Sequence, residues 1–339
     1  MVCVPLVLSG SGCNPSPPVA RPEWRVVLSD LPAGLLSVSG TSAADVYAVG
    51  ADPGDGAGPY VLHYDGEGWA RRLTAVVGSD LWWISDRIID GSFYMVGEHG
   101  LILRYQPATG TFDAQAPLED VTLFGVWGLR SDFIMAVGGN INEPDTSGVI
   151  WRFDGTGWTT VDVTTINAEG IPVLFKVWGR SDDEVYAVGA GGVILRFDGE
   201  EWRQLPSPTS RSLFTVHGND QIVVACGGAQ SGVVVEAEGG PFADVTPAGM
   251  LQMNGAFVPP NGEGVLVGRE SAVAFREGQT WVVTETGLDV DRTLDYHAAW
   301  VDPDGGVWAV GGNIVGNPRF DGLLAYSGTR PVGTTLVAE

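Results

Sequence analysis

The sequence has few basic residues and only one lysine. Eighteen Lys and Arg stand against 41 Asp and Glu in 339 residues, which gives a formal net charge of −23, and the lysine is Lys176. A field of this sign repels phosphate backbones and anionic lipid surfaces. We therefore expect no nucleic-acid partner, and membrane contact only through a lipid anchor.

Cysteine and histidine are equally scarce. Three cysteines (Cys3, Cys13 and Cys226) make no disulfide framework or zinc motif, and the four histidines fall at unrelated positions. No Ser/His/Asp or Cys/His spacing indicates a nucleophile. We expect no catalytic residue, no metal site and no cofactor, although calcium, for which no motif is present, stays open.

No apolar run approaches the 18 or more residues of a membrane-spanning helix. The N-terminal "MVCVPLVLSGSGC" resembles a bacterial lipoprotein signal, which implies a leader over 1–13 with lipidation at Cys13, followed by a Pro- and Ser-containing tether over 14–21. The run lacks basic residues and has Gly10 where such signals usually have Leu. Secretion with ordinary cleavage and an uncleaved apolar tail remain alternatives.

The chain instead has many glycines, 49 in all, and they mark an internal repeat. The segment 176–202, "KVWGRSDDEVYAVGAGGVILRFDGEEW", recurs in altered form at 125–158 and 37–69. One glycine per repeat falls at matching places: Gly50, Gly97, Gly138, Gly189, Gly227, Gly268 and Gly311. We number the repeats 1 to 7 by these glycines.

Each repeat predicts four short strands, which for repeat 4 lie at about 173–179, 184–189, 193–197 and 201–205. The aromatic residue that opens the fourth strand occurs after only six of the glycines, while Trp24 opens an unpaired strand near the N-terminus. The sequence therefore predicts an all-β, seven-bladed β-propeller over 22–330, closed when this N-terminal strand completes the last blade. Residues 331–339 are expected to form a C-terminal tail.

The recurring carboxylates have a structural interpretation. Asp-Gly at 65–66, 154–155 and 198–199 predicts hairpins in which both residues have positive φ. Carboxylates near 42–45, 129–132 and 180–184 are expected to cap the turns between first and second strands.

One position in the first strand of each blade faces the predicted central channel. It holds Ser39, Ser85, Trp127, Trp178, His217, Phe257 and Trp300. Large aromatic residues there fill the space between blades, and they are also candidates for stacking on a sugar or peptide. We take Trp127, Trp178 and His217 as candidate ligand-binding residues.

The connections between second and third strands are long only in blades 1, 3 and 7, over 51–60, 139–148 and 312–322. They are expected to share one face with connections 163–172 and 284–294, and insertions of this kind often collect on a binding face. The candidate residues form a mostly acidic rim: Asp52, Asp55, Asn140, Glu143, Asp145, Asp289, Asp291, Asn313 and Arg319. Loop growth without any ligand is the alternative.

The repeat frame resembles a group of secreted or lipid-anchored bacterial propellers with Trp-Gly and Asp-Gly-x-x-Trp motifs, and more distantly the photosystem II assembly-factor and BNR propellers. The resemblance covers 22–330 and implies the fold, while "QPATG" (106–110) and "EAEGGPF" (236–242) depart from the frame. We predict a monomeric, non-enzymatic binding or scaffold module for a protein or glycan, at the bacterial cell envelope or outside the cell. A glycan-binding lectin, or a hydrolase or lyase with a site at the channel, is the alternative.

Overall fold

The computed structural model of the chain describes residues 21–260, 263–316 and 318–337. The predicted leader with Cys13, and the tether up to residue 20, lie outside these residues. None of the helical segments in the described part is long and apolar enough to cross a bilayer.

The described residues form seven β-sheets, which confirms the predicted seven-bladed propeller. The first strand, β1 (Trp24–Leu31), belongs to the last sheet. The strands of blades 1 to 4 follow in chain order: β2 (Leu35–Ser42), β3 (Asp45–Gly50), β4 (Val61–Tyr64) and β5 (Trp69–Arg71); β6 (Leu81–Ile84), β7 (Phe93–Gly97), β8 (Ile102–Gln106) and β9 (Thr111–Gln115); β10 (Thr122–Arg130), β11 (Phe133–Gly139), β12 (Val149–Phe153) and β13 (Trp158–Thr160); β14 (Leu174–Ser181), β15 (Glu184–Gly189), β16 (Ile194–Phe197) and β17 (Trp202–Gln204).

Blades 5 to 7 complete the ring with the same strand order. Their strands are β18 (Leu213–Gly218), β19 (Val223–Gly227), β20 (Val233–Ala237) and β21 (Ala243–Asp244); β22 (Met253–Phe257), β23 (Val265–Gly268), β24 (Val273–Glu277) and β25 (Thr280–Thr284); β26 (Asp295–Val301), β27 (Val307–Asn313) and β28 (Phe320–Ser327). Single 3-10 turns occupy Glu98–Gly100, Val163–Thr165, Ala190–Gly192 and Arg269–Ser271.

Both ends of the described chain are held in the ring. Strand β1 pairs antiparallel with β28 and becomes the outer strand of blade 7, as the sequence predicts. Near the C-terminus, β29 (Leu336–Val337) pairs parallel with β5 as a fifth strand of blade 1. Nothing in the repeat frame indicates this last strand.

The first strand of every blade lies innermost, because these strands contact one another around the ring. Their Trp-Gly motifs pack adjacent blades together. Trp127 and Trp178 are 1% and 4% exposed, and a Cβ added to Gly179 would lie 2.6 Å from the indole of Trp127. The same relation holds for Trp178 with Gly218, so the glycine leaves room for the indole of the preceding blade.

The Asp-Gly segments do connect third and fourth strands as hairpins, but the predicted turn geometry is wrong. Only the glycines have positive φ, +95° at Gly66, +94° at Gly155 and +97° at Gly199. Each aspartate instead accepts backbone N–H groups two and three residues ahead, as at Asp154, where Thr156 and Gly157 donate over 2.8 and 3.1 Å. The Thr156 hydroxyl, together with these amides, lowers the pKa of Asp154 to about 2.

We expect Gly179→Ala to destabilise the propeller by roughly 1–3 kcal/mol, because the new methyl group must displace the buried Trp127 indole. Gly157→Ala is the matched control, since nothing lies within 4 Å of a Cβ there. Urea unfolding of both variants measures the difference. Equal stabilities would show that the indole can move away without cost.

Candidate functional site

All seven inner strands contain a β-bulge at the same place. In blade 3, Leu123 pairs with Gly138 and Gly125 pairs with Val137, so Phe124 is an extra residue in the ladder. The register shifts in the same way in the other six blades. The extra residues are Leu36, Trp82, Phe124, Phe175, Phe214, Asn254 and His297. We call them the bulge ring.

The repeat glycines explain why the bulge recurs. A Cβ at Gly138 would lie 2.0 Å from the Thr122 carbonyl oxygen, and the equivalent distance is 2.0 Å at Gly189 and 1.8 Å at Gly311. Only glycine lets the first strand approach the second so closely, just before the extra residue. The glycine column that defines the repeat therefore also places the bulge ring.

Six of the seven bulge-ring residues line one pocket, the upper pocket, at the end of the channel that carries the connections between second and third strands. Its aromatic rings meet edge to face: the centroids are 5.0 Å apart for Trp82 and Phe124, 5.5 Å for Phe124 and Phe175, and 5.5 Å for Phe175 and Phe214. This geometry is favourable for aromatic pairs and keeps the rings fixed in place. The aromatic part of the pocket is thus preformed.

The two polar members of the bulge ring hydrogen-bond to the next blade. The Asn254 side-chain amide donates to the Tyr296 carbonyl over 2.8 Å. His297 Nδ1 donates to the Leu36 carbonyl, so the neutral ring carries its proton there. Burial lowers the pKa of His297 to about 3, with a further contribution from the positive charge of Lys176.

Lys176 follows Phe175 in β14 and also lines the pocket. It is 3% exposed. Its Nζ donates to the Phe124 carbonyl over 3.0 Å and lies 3.1 Å from the centroid of the Trp83 ring. Burial lowers the pKa of this ammonium group well below its ordinary value. The single lysine of the chain therefore lies in the wall of the channel and not on the surface.

The upper pocket has a volume of about 230 Å³ and a mostly apolar lining. Two of the long connections reach it from opposite blades: Ile141 comes from blade 3, and Ile314 and Val315 come from blade 7. Ile141 is 59% exposed and Val315 is 85% exposed. Large apolar side chains left in water beside an apolar pocket are typical of an interaction site.

The blade 1 and blade 7 connections are joined through Arg319. Its guanidinium pairs with Asp80, lies 3.7 Å from the Glu98 carboxylate and stacks 4.5 Å from the Trp82 centroid. Asp80 in turn accepts the backbone N–H of Asp52 over 2.8 Å. Of the predicted rim, Arg319 and Asp52 are thus brought together beside the upper pocket.

The other predicted rim residues are engaged locally or exposed. Asp55 pairs with Arg71, Asn140 accepts the N–H of Asn142 over 3.0 Å, and Asp291 accepts the N–H of Thr293 over 2.9 Å. The remaining members are exposed or partly buried: Glu143, Asp145, Asp289 and Asn313. The structure places these side chains outside the pocket lining.

The predicted channel residues lie elsewhere. Trp127 and Trp178 are packed between blades, and Trp178 together with His217 also lines a pocket at the opposite end of the channel. The bulge ring was missed by the sequence analysis. Its signal is a leucine followed by an aromatic residue at the start of four inner strands, at 81–82, 123–124, 174–175 and 213–214. Among the residues described, no group of three or more His, Cys, Asp or Glu is arranged to hold a metal ion.

No protein-family model matches the sequence. A stretch of 82 residues, 23% of this chain, is 33% identical to the immune protein Tsi7 of Pseudomonas aeruginosa, and the match spans 27% of that protein's length.

Solved propellers are similar over nearly the whole chain. YCF48 from Cyanidioschyzon merolae superimposes with a TM-score of 0.66 at 14% identity, covering 90% of this chain and 98% of YCF48. YCF48 bound to D1 peptide superimposes with a TM-score of 0.64 at 16% identity, covering 92% of this chain and 100% of that one. The extracellular domain of BT4673 from B. thetaiotaomicron superimposes with a TM-score of 0.64 at 13% identity, covering 89% of this chain and 39% of that one. At these identities the likeness supports the fold.

We expect His297→Asn to make the protein less sensitive to acid. Asparagine is the natural residue at this place in blade 6 and keeps a donor for the Leu36 carbonyl. In the unfolded wild-type chain, His297 becomes protonated below about pH 6.5, whereas in the folded chain it stays neutral down to about pH 3 because its pKa is lowered. The free energy of unfolding therefore decreases as the pH falls through this range. Between pH 7 and 5 the wild type should lose ~2 kcal/mol more than the variant.

Urea unfolding at both pH values measures this difference. His217 and the carboxylates are common to both proteins and cancel in the comparison. An identical loss in the two proteins would contradict the burial of a neutral imidazole at this position.

Proposed function

We propose that this chain is a non-enzymatic binding module that holds a segment of another protein at the upper pocket. The observation that carries the proposal is the combination of a preformed aromatic pocket with exposed Ile141 and Val315 at its edge. Burying such side chains against a partner contributes about 25 cal/mol per Å² of apolar surface removed from water. Without a partner, the apolar side chains of Ile141 and Val315 remain exposed to water, which is unfavourable.

A protein segment suits this pocket better than a glycan does. The lining offers aromatic faces and few free polar groups, whereas a sugar needs several hydrogen bonds when it is desolvated. A pocket of about 230 Å³ accommodates one or two apolar side chains and not a folded surface. The net charge of −23 favours partners with basic residues beside the apolar ones.

Two further observations support the proposal. YCF48, which has the same fold, is known bound to a D1 peptide. The extracellular domain of BT4673 also has this fold, and together with the apolar run before Cys13 it supports a location at the bacterial cell envelope or outside the cell. The module acts as a scaffold that presents one face to its partner.

Selection of random peptides displayed on phage against the immobilised chain tests the proposal and requires no assumption about the partner's sequence. We expect enrichment of peptides that combine large apolar with basic residues. Calorimetry should show them binding the variant Ile141→Ser/Val315→Ser about tenfold more weakly or worse, because the buried apolar surface is lost.

Val283→Ser is the control, since Val283 is 50% exposed on the outer strand β25 and lies outside the pocket. It should bind as the wild type does. Equal affinity of the double variant, or a selection that enriches no peptide, would contradict the proposal.

A further inference from the structure

The opposite end of the channel contains a second pocket, the lower pocket, of about 380 Å³. Two departures from the repeat meet there. Blade 2 joins its first and second strands through residues 85–92, where blades 1, 3 and 4 use two residues, and this longer connection supplies Asp86 and Arg87. Blade 5, across the ring, supplies His217 at the position where blades 3, 4 and 7 have tryptophan.

His217 is held between two neighbouring rings, and one of its nitrogens lies on the side of Asp86. Its ring lies between Phe257 and Trp178, with centroids 4.4 and 5.5 Å away. Nδ1 accepts the backbone N–H of Val258 over 3.0 Å, so the neutral ring carries its proton on Nε2. The residue is 8% exposed, and Nε2, itself buried, has no hydrogen-bond partner among the described residues. Burial lowers the pKa of His217 to about 4, so this tautomer prevails at neutral pH.

Asp86 supplies the matching acceptor. Its carboxylate is oriented by Arg87, whose Nε and Nη2 each donate to it over 3.1 Å. The distance from His217 Nε2 to Asp86 Oδ2 is 3.9 Å, which is too long for a hydrogen bond. A single oxygen atom about 2.8 Å from both would close the gap. A hydroxyl group can fill this place, because it accepts from Nε2–H and donates to the carboxylate at once.

The charges of the pocket select a neutral ligand. An ammonium group has no lone pair with which to accept from Nε2–H, and an anionic group would face the Asp86 carboxylate. Arg87 borders the same space and can donate to further hydroxyl oxygens, and Asp220 adds a second carboxylate to the lining. Arg180 also lines the pocket, but its guanidinium already donates to the Asn219 carbonyl and to Glu184. The partly exposed Phe257 offers an apolar surface to the C–H face of a sugar ring.

We propose that the lower pocket binds a neutral pyranose unit, with one sugar hydroxyl bridging His217 Nε2 and the Asp86 carboxylate. This site is separate from the upper pocket, and its ligand is independent of the protein segment proposed there. The pocket volume lies within the range of small-molecule sites.

Saturation-transfer NMR and calorimetry with glucose, galactose and mannose test the proposal on the full chain. We expect binding of at least one of these sugars, and a loss of about tenfold or more in His217→Phe and in Asp86→Ala, since each removes one end of the bridge. Asp86→Ala should also bind glucuronate better than the wild type does, because Arg87 then lacks its counter-charge. Val283→Ser, on the outer strand β25 and outside the lower pocket, should bind like the wild type.

Thermal unfolding checks that the variants fold. Phenylalanine is the natural residue at the His217 position in blade 6 (Phe257), and Asp86 lies in a loop, so at least one variant should keep the native structure. If no neutral sugar binds, as when a water molecule alone bridges the gap, the proposal is overturned. It is also overturned if both variants bind sugar as tightly as the wild type does. Neither result bears on peptide binding at the upper pocket, which is tested separately.

Discussion

The close contact between one glycine and one carbonyl in each blade determines most of this structure. The glycine at or near the end of the second strand lies against a carbonyl at or just before the start of the first, at a distance that no Cβ can tolerate. This contact accompanies a bulge in the first strand of every blade, and six of the seven extra side chains line the upper pocket. The seven repeat glycines, which lack a side chain, thus place the bulge ring.

This arrangement separates the fold from the site. Strand pairing, the Trp-Gly packing and the capped hairpins use the repeated residues, whereas the bulge ring is free to vary from leucine to tryptophan, phenylalanine, asparagine and histidine. The polar members are accommodated because each finds a carbonyl on the next blade. At the lower end, His217 similarly departs from tryptophan without loss of its ring packing. The residues that line either end of the channel can therefore change while the ring stays intact.

The number of blades, the strand order and the closing role of β1 were predictable, because glycine spacing and the displaced Trp24 follow directly from the sequence. The upper pocket was not predicted from the sequence. Phe124 and Phe175 are found only once the bulge is known, since regular alternation would direct them towards a neighbouring blade. The predicted acidic rim was judged by loop length and charge, yet Asp55 and Asn140 turn out to stabilise their own loops. The long connections of blades 3 and 7 do reach the upper pocket, and they do so through the apolar residues Ile141 and Val315.

The pairing of β1 with β28 has a consequence for how the chain folds. Contacts among the first four strands of blades 1 to 6 join residues a few tens of positions apart, whereas Arg25 reaches Gly328 across 303 positions and β29 reaches β5 over a comparably long span. Bringing together ends separated by about 300 residues costs roughly 2 kcal/mol more chain entropy than closing a loop of about 40. Individual blades are therefore expected to form first and the ring to close last. Until it closes, β28 presents an unpaired edge, and at this stage intermolecular strand pairing competes with closure of the ring.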